Sequence, residues 1–169
     1  MAQRVIGTGN KTSLWISGDN VTTIVRKEFW KLPLEELTAE EWELLCDGCG
    51  RCCLKKVQDD KSNELFWTRI ACRYLDQNCR CSNYAKRTDL VPTCLNVKEM
   101  YEQNTNWMPD TCAYRLRSEK KPLRDWHPLL TNNEDSIINA GISVSGKTLS
   151  EEYVHEGGYD EHVIRWVKS

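Results

Sequence analysis

The chain has 169 residues, a formal net charge of −2, and 40 % hydrophobic and 28 % charged residues, a balance typical of a globular protein. No apolar run approaches the roughly 20 residues that span a bilayer, so we expect no membrane partner. The opening MAQRVIGTGN has no continuous apolar stretch of the secretory kind, which predicts a cytoplasmic protein.

Two elements are predicted before the first cysteine. Residues 12–28 should form a β-hairpin, because two β-rich runs flank a Gly-Asp-Asn turn. Residues 37–46 should form a helix, since Thr38 as N-cap and Glu41 three residues later make a capping box. Gly48 follows the last apolar position and is a candidate C-cap.

The later elements are predicted to be short. A strand at 64–71 should lead to Cys72, and helices should follow at 96–103 and 109–119, with Pro109 in the first turn of the second helix. The rest of the chain should form a Pro-interrupted loop at 120–133, a β-hairpin at 142–150 and a short helix from residue 159. The pattern predicts a small single domain of the α+β class, organised around an all-cysteine metal centre. Residues 1–27 would be an N-terminal hairpin extension, and residues 28–169 the cysteine-cluster domain.

Nine cysteines are the main chemical feature of the sequence. In a reducing cytoplasm, dense cysteine clusters indicate metal ligation or catalysis rather than disulfides, and an odd number cannot pair completely. The candidate metal ligands are Cys46, Cys49, Cys52, Cys53, Cys72, Cys79, Cys81, Cys94 and Cys112. For the isolated Cys112, a role as a small buried hydrophobic residue is an equal alternative.

The stretch CDGCGRCC, residues 46–53, has the spacing C-x2-C-x2-C-C. Its glycines let the backbone fold round an ion so that several thiolates can face one centre. With a remote fourth cysteine, such as Cys94, the spacing fits a [4Fe–4S] cluster. Four thiolates also suit structural zinc, and all-sulfur ligation does not distinguish the two.

The adjacent Cys52 and Cys53 constrain this site. Neighbouring side chains lie about 100° apart on a helix and on opposite faces of a strand, so we expect the two thiols to serve different surroundings. Cys46, Cys49 and Cys53 would share one face of a helix. Nine thiols could fill two four-ligand sites with one left over.

The charge is unevenly distributed along the chain. Residues 51–124 carry fifteen Lys and Arg against nine Asp and Glu, between two acidic flanks. No nucleic-acid motif accompanies this charge, so we do not expect a nucleic-acid partner. Cations stabilise nearby thiolates, and we interpret as charge compensation the five basic residues next to cysteines in sequence: Arg51, Lys55, Lys56, Arg73 and Arg80.

The cysteine motifs together resemble a known family. The segments that carry the resemblance are CDGCGRCC, ACRYLD at 71–76, CRCSNY at 79–84, VPTC at 91–94, TCAYRL at 111–116 and WHPLL at 126–130. In this order they resemble the uncharacterised CxxCxxCC cysteine-cluster family, in its YcgN-like branch, over residues 28–150. The resemblance implies chelation of zinc or iron and supplies no reaction.

Seven of the nine cysteines correspond to the set of cysteines that the whole family shares. The other two, Cys79 and Cys112, look like additions of the YcgN-like branch. Tyr84 and Arg87 fall on positions of the family's motifs. Arg87 could support the cluster by donating a hydrogen bond to a thiolate. The alternative is that Tyr84 is a core residue and Arg87 a surface residue. A similar cluster in flagellin lysine methylases implies an iron–sulfur role there.

Two further motifs are interpreted as structural. GISVSGKT, residues 141–148, matches the phosphate-binding loop pattern, but its middle residues resemble a strand and too little chain follows for a nucleotide-binding domain. His127, between Trp126 and Pro128, could be a ligand, but a structural imidazole in a rigid loop is favoured.

The sequence therefore predicts a metal-binding protein that chelates zinc or iron, with an iron–sulfur cluster as one form. Two alternatives stay open: an iron–sulfur-dependent redox or methyl-transfer enzyme, and a zinc-stabilised protein-interaction module. No S-adenosylmethionine, flavin or nicotinamide motif is recognisable, and no protein partner can be named.

Overall fold

The structure, a computed structural model, describes residues 3–5, 12–17, 21–103 and 105–168. The chain divides into two compact units: residues 1–47 with 111–136, and residues 48–110 with 137–169. Short helices and two small sheets confirm the α+β class. No helix in the described ranges is long and apolar enough to cross a bilayer.

The first unit begins with a three-stranded antiparallel sheet. It contains β1 (Gln3–Val5), β2 (Thr12–Ser17) and β3 (Val21–Arg26) in that order. The pairing of β2 with β3 confirms the predicted hairpin, whose turn at 18–20 lies outside the described residues. The first strand was not predicted.

Helix α1 (Ala39–Leu45) follows two 3₁₀ turns, Phe29–Lys31 and Leu34–Glu36. The predicted capping box is confirmed: the Glu41 N–H donates to Thr38 Oγ1, and the Thr38 N–H donates to Glu41 Oε2. The prediction of Gly48 as C-cap is wrong, because the backbone is already extended at Cys46, which is the C-cap.

Two further helices complete the first unit, α4 (Ala113–Ser118) and α5 (Pro128–Thr131). The helix predicted at 109–119 starts later than expected, so Pro109 lies outside it and Cys112 is its N-cap. Tyr114 of α4 stacks on Trp42 of α1 with ring centroids 4.6 Å apart, and its hydroxyl donates to the Trp42 carbonyl at 2.8 Å. Helix α5 lies within the segment predicted as a loop.

The sheet of the second unit is mixed. Strand β4 (Leu54–Gln58) pairs antiparallel with β5 (Leu65–Ala71), and β6 (Leu149–Ser150) pairs parallel with β5. Strand β5, rich in aromatic and β-branched residues, confirms the prediction at 64–71. Its Trp67 and Ala71 pack in a core with Leu54, Cys79, Val144 and Val167.

Several predictions for the second unit need correction. The hairpin at 142–150 is wrong: residues 144–147 form a turn with the Lys147 N–H donating to the Val144 carbonyl, and β6 then pairs parallel with β5. The helix predicted at 96–103 is only the shorter α3 (Val97–Met100), and the predicted C-terminal helix is a 3₁₀ helix at Glu156–His162.

The remaining elements are α2 (Arg87–Leu90), α6 (Ser136–Asn139) and 3₁₀ turns at Arg51–Cys53, Tyr84–Lys86 and Glu151–Tyr153.

The buried carboxylate of Glu41 ties β3 to α1. Arg26 donates to it from its backbone N–H and from its guanidinium, with Nε 2.9 Å from Oε1. These guanidinium bonds, with the backbone bonds from Arg26 and Thr38, outweigh burial and lower the pKa of Glu41 to about 2. The pKa of Glu41 in the folded protein lies below the ordinary 4.5. The stabilisation from its ion pair with Arg26 is therefore complete above about pH 4.5 and is lost as the pH falls toward 2.

We predict that Glu41→Gln lowers the free energy of unfolding by about 2 kcal/mol at pH 7, since it weakens a charge-assisted pair at a buried site. The deficit should shrink at pH 3, where the wild type loses part of the same contribution. Urea unfolding at both pH values measures this, with the exposed Glu35 changed to Gln as control. An equal deficit at both pH values would contradict the assignment.

Candidate metal centre

The stretch CDGCGRCC is a turn rather than a helix. Helix α1 has ended at Leu45, and the left-handed Gly48 (φ 72°) and Gly50 (φ 73°) redirect the chain into the 3₁₀ turn Arg51–Cys53. The prediction of one helical face for Cys46, Cys49 and Cys53 is therefore wrong. The backbone instead delivers the last two cysteines of the stretch to the start of β4.

The sulfurs of Cys52 and Cys53 lie 4.0 Å apart. The expectation that neighbouring thiols face different surroundings assumed a helix or a strand, whereas both residues occur in a 3₁₀ turn. Around a tetrahedral ion with bonds of about 2.3 Å, two sulfurs are about 3.8 Å apart. The adjacent thiols are therefore spaced almost as two ligands of one ion would be.

Electrostatic interactions connect five thiols of the second unit, each with at least two of the others: Cys52, Cys53, Cys72, Cys81 and Cys94. We call them the five-thiol cluster. Cys72 follows β5 directly, and its N–H donates to the Cys53 carbonyl at 2.9 Å. Cys81 is held by a β-bridge to Leu75, and the Cys94 N–H donates to the Val91 carbonyl.

Neutral thiols are favoured at Cys53, Cys72 and Cys94. The hydrogen bond with Cys52, then burial, then the charges of the other thiols raise the pKa of Cys53 far above its usual range. Burial is the main cause that raises the pKa of Cys72 and of Cys94, and charges on other members of the cluster add to it. Several thiolates can therefore coexist here only if positive charge accompanies them.

The other four cysteines are placed differently. Cys79 is buried in the core of the second unit, with its Sγ 3.5 Å from Ser143 Oγ. Cys49 is also buried, and its carbonyl accepts from the Val144 N–H. Cys46 and Cys112 are caps of α1 and α4 in the first unit. All nine cysteines belong to the described residues, and none forms a disulfide.

The arrangement is not a finished coordination sphere. Among the described residues, no group of three or more His, Cys, Asp or Glu side chains is already set to hold a metal ion. The five thiols share one neighbourhood, but their side chains would have to turn toward a bound ion. The donor set itself, five sulfurs near two cations, fits a soft or borderline metal.

One of these cations is Lys56. Its Nζ donates to the carbonyls of Cys52 at 3.3 Å and Leu54 at 3.0 Å, and it lies 5.6 Å from the centre of the Trp67 ring. Burial lowers the pKa of this ammonium, and the charges of three cluster thiols oppose that effect. Lys56 therefore lies where the charge compensation expected from the sequence needs a cation.

A second cation, Arg87, acts on Cys94. Its positive charge opposes the burial that raises the pKa of that thiol. The guanidinium lies 4.0 Å from the centre of the Tyr84 ring and donates to the Tyr84 carbonyl. Arg87 thus acts on Cys94 through its charge, while its hydrogen bond goes to the Tyr84 carbonyl, so the hydrogen bond to a thiolate stays a prediction. Tyr84 is exposed, so the alternative of a core tyrosine is wrong.

The other basic residues predicted as charge compensation have additional or different contacts. Lys55 lowers the pKa of Cys72, but it also pairs with Glu151, as does Arg73. Arg51 is buried and donates to the Ile142 carbonyl. Glu151, which gathers two cations beside Cys72, was missed because 79 positions of sequence separate the two residues.

The two motifs interpreted as structural are indeed used within the fold. His127 is buried, with Nε2 3.2 Å from the Leu45 carbonyl and Nδ1 accepting from the Leu129 N–H, which confirms a structural imidazole. In GISVSGKT, the Lys147 ammonium donates to the carbonyls of Gly141 and Ser143 in its own loop.

Known proteins resemble this chain over most of its length. Residues 45–113 match a family model, CxxCxxCC, described as "Putative zinc- or iron-chelating domain". A UPF0260 protein of Cellvibrio japonicus is 41 % identical over 146 residues, which cover 85 % of this chain and 99 % of the relative. A UPF0260 protein of Rhodobacter capsulatus is 46 % identical over 142 residues, covering 83 % and 95 %. No solved structure matched the chain.

Gly50 provides a test of the turn that forms the site. A Cβ on Gly50 would lie 2.7 Å from Val144 Cγ2 and 3.0 Å from Cys79 Cβ, whereas one on Gly146, at a similar φ of 70°, would meet nothing within 4 Å. Both alanine variants carry the left-handed penalty of about 1–2 kcal/mol. Only Gly50→Ala adds overpacking of about 1–3 kcal/mol.

We predict that Gly50→Ala is the more destabilised of the two in urea unfolding of reduced, chelator-treated protein. The difference in unfolding free energy between the variants isolates the contact with Val144 and Cys79. Equal losses would show that this contact does not constrain the turn.

Proposed function

The chain belongs to the UPF0260 family, and from this premise we propose that it is a cytoplasmic metal-binding protein whose five-thiol cluster chelates zinc or iron. The observation that carries the proposal is the gathering of five thiols from four separate parts of the second unit. The description of the matching family model supports the same chemistry.

The chemistry of the donors supports this assignment. Thiolates favour zinc and iron–sulfur clusters over magnesium or calcium, which take oxygen ligands. A hydrogen bond with Cys52, then burial and repulsion, raise the pKa of Cys53, and burial followed by repulsion raises the pKa values of Cys72 and Cys94. A bound cation would reverse that cost, because coordination stabilises the thiolate form.

We assign the ligands to the five-thiol cluster. A tetrahedral ion takes four sulfurs, so the cluster holds one more than a single closed site requires. Cys79, buried beside Ser143 and Val144, is assigned a structural role instead. When bound, the metal would supply either a closed zinc tetrathiolate or an iron–sulfur centre. No feature of the described residues favours the redox, methyl-transfer or partner-binding alternatives over chelation.

The direct test is metal and sulfide analysis, with a visible spectrum, of protein purified without oxygen. We expect stoichiometric zinc in colourless protein, or iron with sulfide in brown protein. The double variant Cys52→Ser/Cys53→Ser leaves three cluster thiols and should lower the bound metal strongly, whereas Cys79→Ser should retain it, because its sulfur lies in the core. Folded wild-type protein without zinc or iron would refute the proposal.

The position of Lys56 gives a second prediction. Removing its charge with Lys56→Met should weaken metal binding about tenfold, or about 1.4 kcal/mol, because the ammonium offsets the negative charge of the thiolates. Competition with a chromophoric chelator measures the affinity. Lys61→Met is the control, since Lys61 is exposed in the turn at the opposite end of the β4–β5 pair. Equal affinities of the two variants would show that Lys56 plays no such part.

A further inference from the structure

The adjacent cysteines Cys52 and Cys53 are placed for a second chemistry besides metal ligation. Their sulfurs lie 4.0 Å apart, whereas a disulfide bond joins two sulfurs at about 2.05 Å, so each sulfur would have to move by about 1 Å. Cys52 is exposed and Cys53 is half-buried, so a small dissolved oxidant reaches the pair at Cys52. The two thiols therefore have both the proximity and the access that oxidation to a disulfide requires.

The fold holds the backbone of this pair in place. The Cys53 N–H donates to the Gly50 carbonyl at 3.1 Å, and the Cys53 carbonyl accepts from the Cys72 N–H at 2.9 Å. Leu54, which follows the pair directly, is buried and pairs with Ala71 of β5. The pair is thus anchored between a tight turn and the sheet, and the short distance between its sulfurs is a property of the folded backbone.

A disulfide between neighbouring residues is strained. Consecutive Cα atoms lie about 3.8 Å apart across a trans peptide bond, closer than the about 4.4–6.8 Å found across most disulfides. Strained and exposed disulfides are more easily reduced than ordinary structural ones. A bond between Cys52 and Cys53 is therefore suited to form when oxidant is in excess and to open again when thiols prevail.

We propose that Cys52 and Cys53 form a redox modification site, which a low-molecular-weight disulfide oxidises reversibly to a disulfide between the two neighbours. The Cys52 sulfur attacks the oxidant, forms a mixed disulfide and releases one thiol. The Cys53 sulfur then displaces the second thiol and completes the bond. The protein gives up two electrons and two protons, and the S–S bond of the oxidant is reduced to two thiols.

The consequence for the metal rests on the proposed function. Oxidation of the pair removes two of the five cluster thiols and leaves Cys72, Cys81 and Cys94, one fewer than a closed tetrahedral site takes. Formation of the bond would therefore release the ion. In return, a bound ion occupies the sulfurs and protects the pair, so metal loading and oxidation oppose each other.

Trypsin provides a direct test, because Arg51 and Lys55 flank the pair. Cleavage after these two residues gives the peptide CCLK, residues 52–55, which holds both cysteines. Reduced, metal-free, full-length protein would be treated with excess glutathione disulfide, its remaining thiols blocked with N-ethylmaleimide, and the digest read by mass spectrometry.

We expect an unlabelled CCLK peptide that is lighter by two hydrogen atoms than the reduced peptide and that disappears after treatment with reduced glutathione. Three other main products would overturn the inference: a doubly labelled peptide, a peptide that keeps glutathione, and a peptide crosslinked to another cysteine. This test uses the wild-type chain, so it does not depend on the folding of a variant.

Zinc tests the consequence. Protein whose pair is oxidised should bind Zn²⁺ about tenfold or more weakly in competition with a chromophoric chelator. Cys52→Ser lacks the attacking thiol and keeps four cluster thiols, so it should retain its zinc under the oxidant, whereas Cys79→Ser should lose it as wild type does. Equal zinc loss from wild type and Cys52→Ser would overturn the link to the metal. Failure of reduced protein to bind zinc, or iron without oxygen, would overturn the proposed function and leave the peptide result standing.

Discussion

The mutual repulsion that closely placed thiolates would exert is the constraint on which metal binding at this site depends. Cys52 and Cys53 hold their sulfurs 4.0 Å apart, and ionised Cys72, Cys81 and Cys94 would add charge near them. The second unit supplies one ammonium at Lys56 and one guanidinium at Arg87. Two single charges do not balance five thiolates, and a divalent ion or cluster bound by the sulfurs would offset most of the remaining negative charge.

The second unit consists of two physically different parts. Around β5, large apolar side chains exclude water, and Gly50 lets the chain pass close to Val144 and Cys79. In residues 83–103 no residue is fully buried, although Val91, Leu95 and Val97 are half-buried. Cys52, Cys53 and Cys72 lie next to β4 and β5, and Cys81 and Cys94 come from the chain that follows.

Local signals in the sequence were sufficient for some elements. The capping box of α1 and the hydrophobic run of β5 are determined by neighbouring residues, and both were confirmed. The structural role of His127 also followed from its rigid surroundings. The cysteine spacing singled out CDGCGRCC, and two of its cysteines, Cys52 and Cys53, bring their sulfurs to 4.0 Å, but the spacing could not give the conformation of the turn.

Other features depend on contacts between distant residues. Strand β4 was missed because a bulge between Leu54 and Lys56 breaks its alternation, and β6 was assigned to a hairpin because its parallel partner lies far away in sequence. The neighbourhood of Cys52 and Cys53 arises from a 3₁₀ turn that two left-handed glycines allow. The division between cluster cysteines and the buried Cys79 required the packing around Val144, which no spacing reveals.

The number and type of atoms bound to the metal test the central claim most directly. X-ray absorption at the zinc or iron edge of anaerobically loaded protein gives the first coordination shell and its distances. The five-thiol cluster predicts a shell of sulfur alone, at about 2.3 Å. A shell dominated by nitrogen or oxygen at about 2.0–2.2 Å would contradict it.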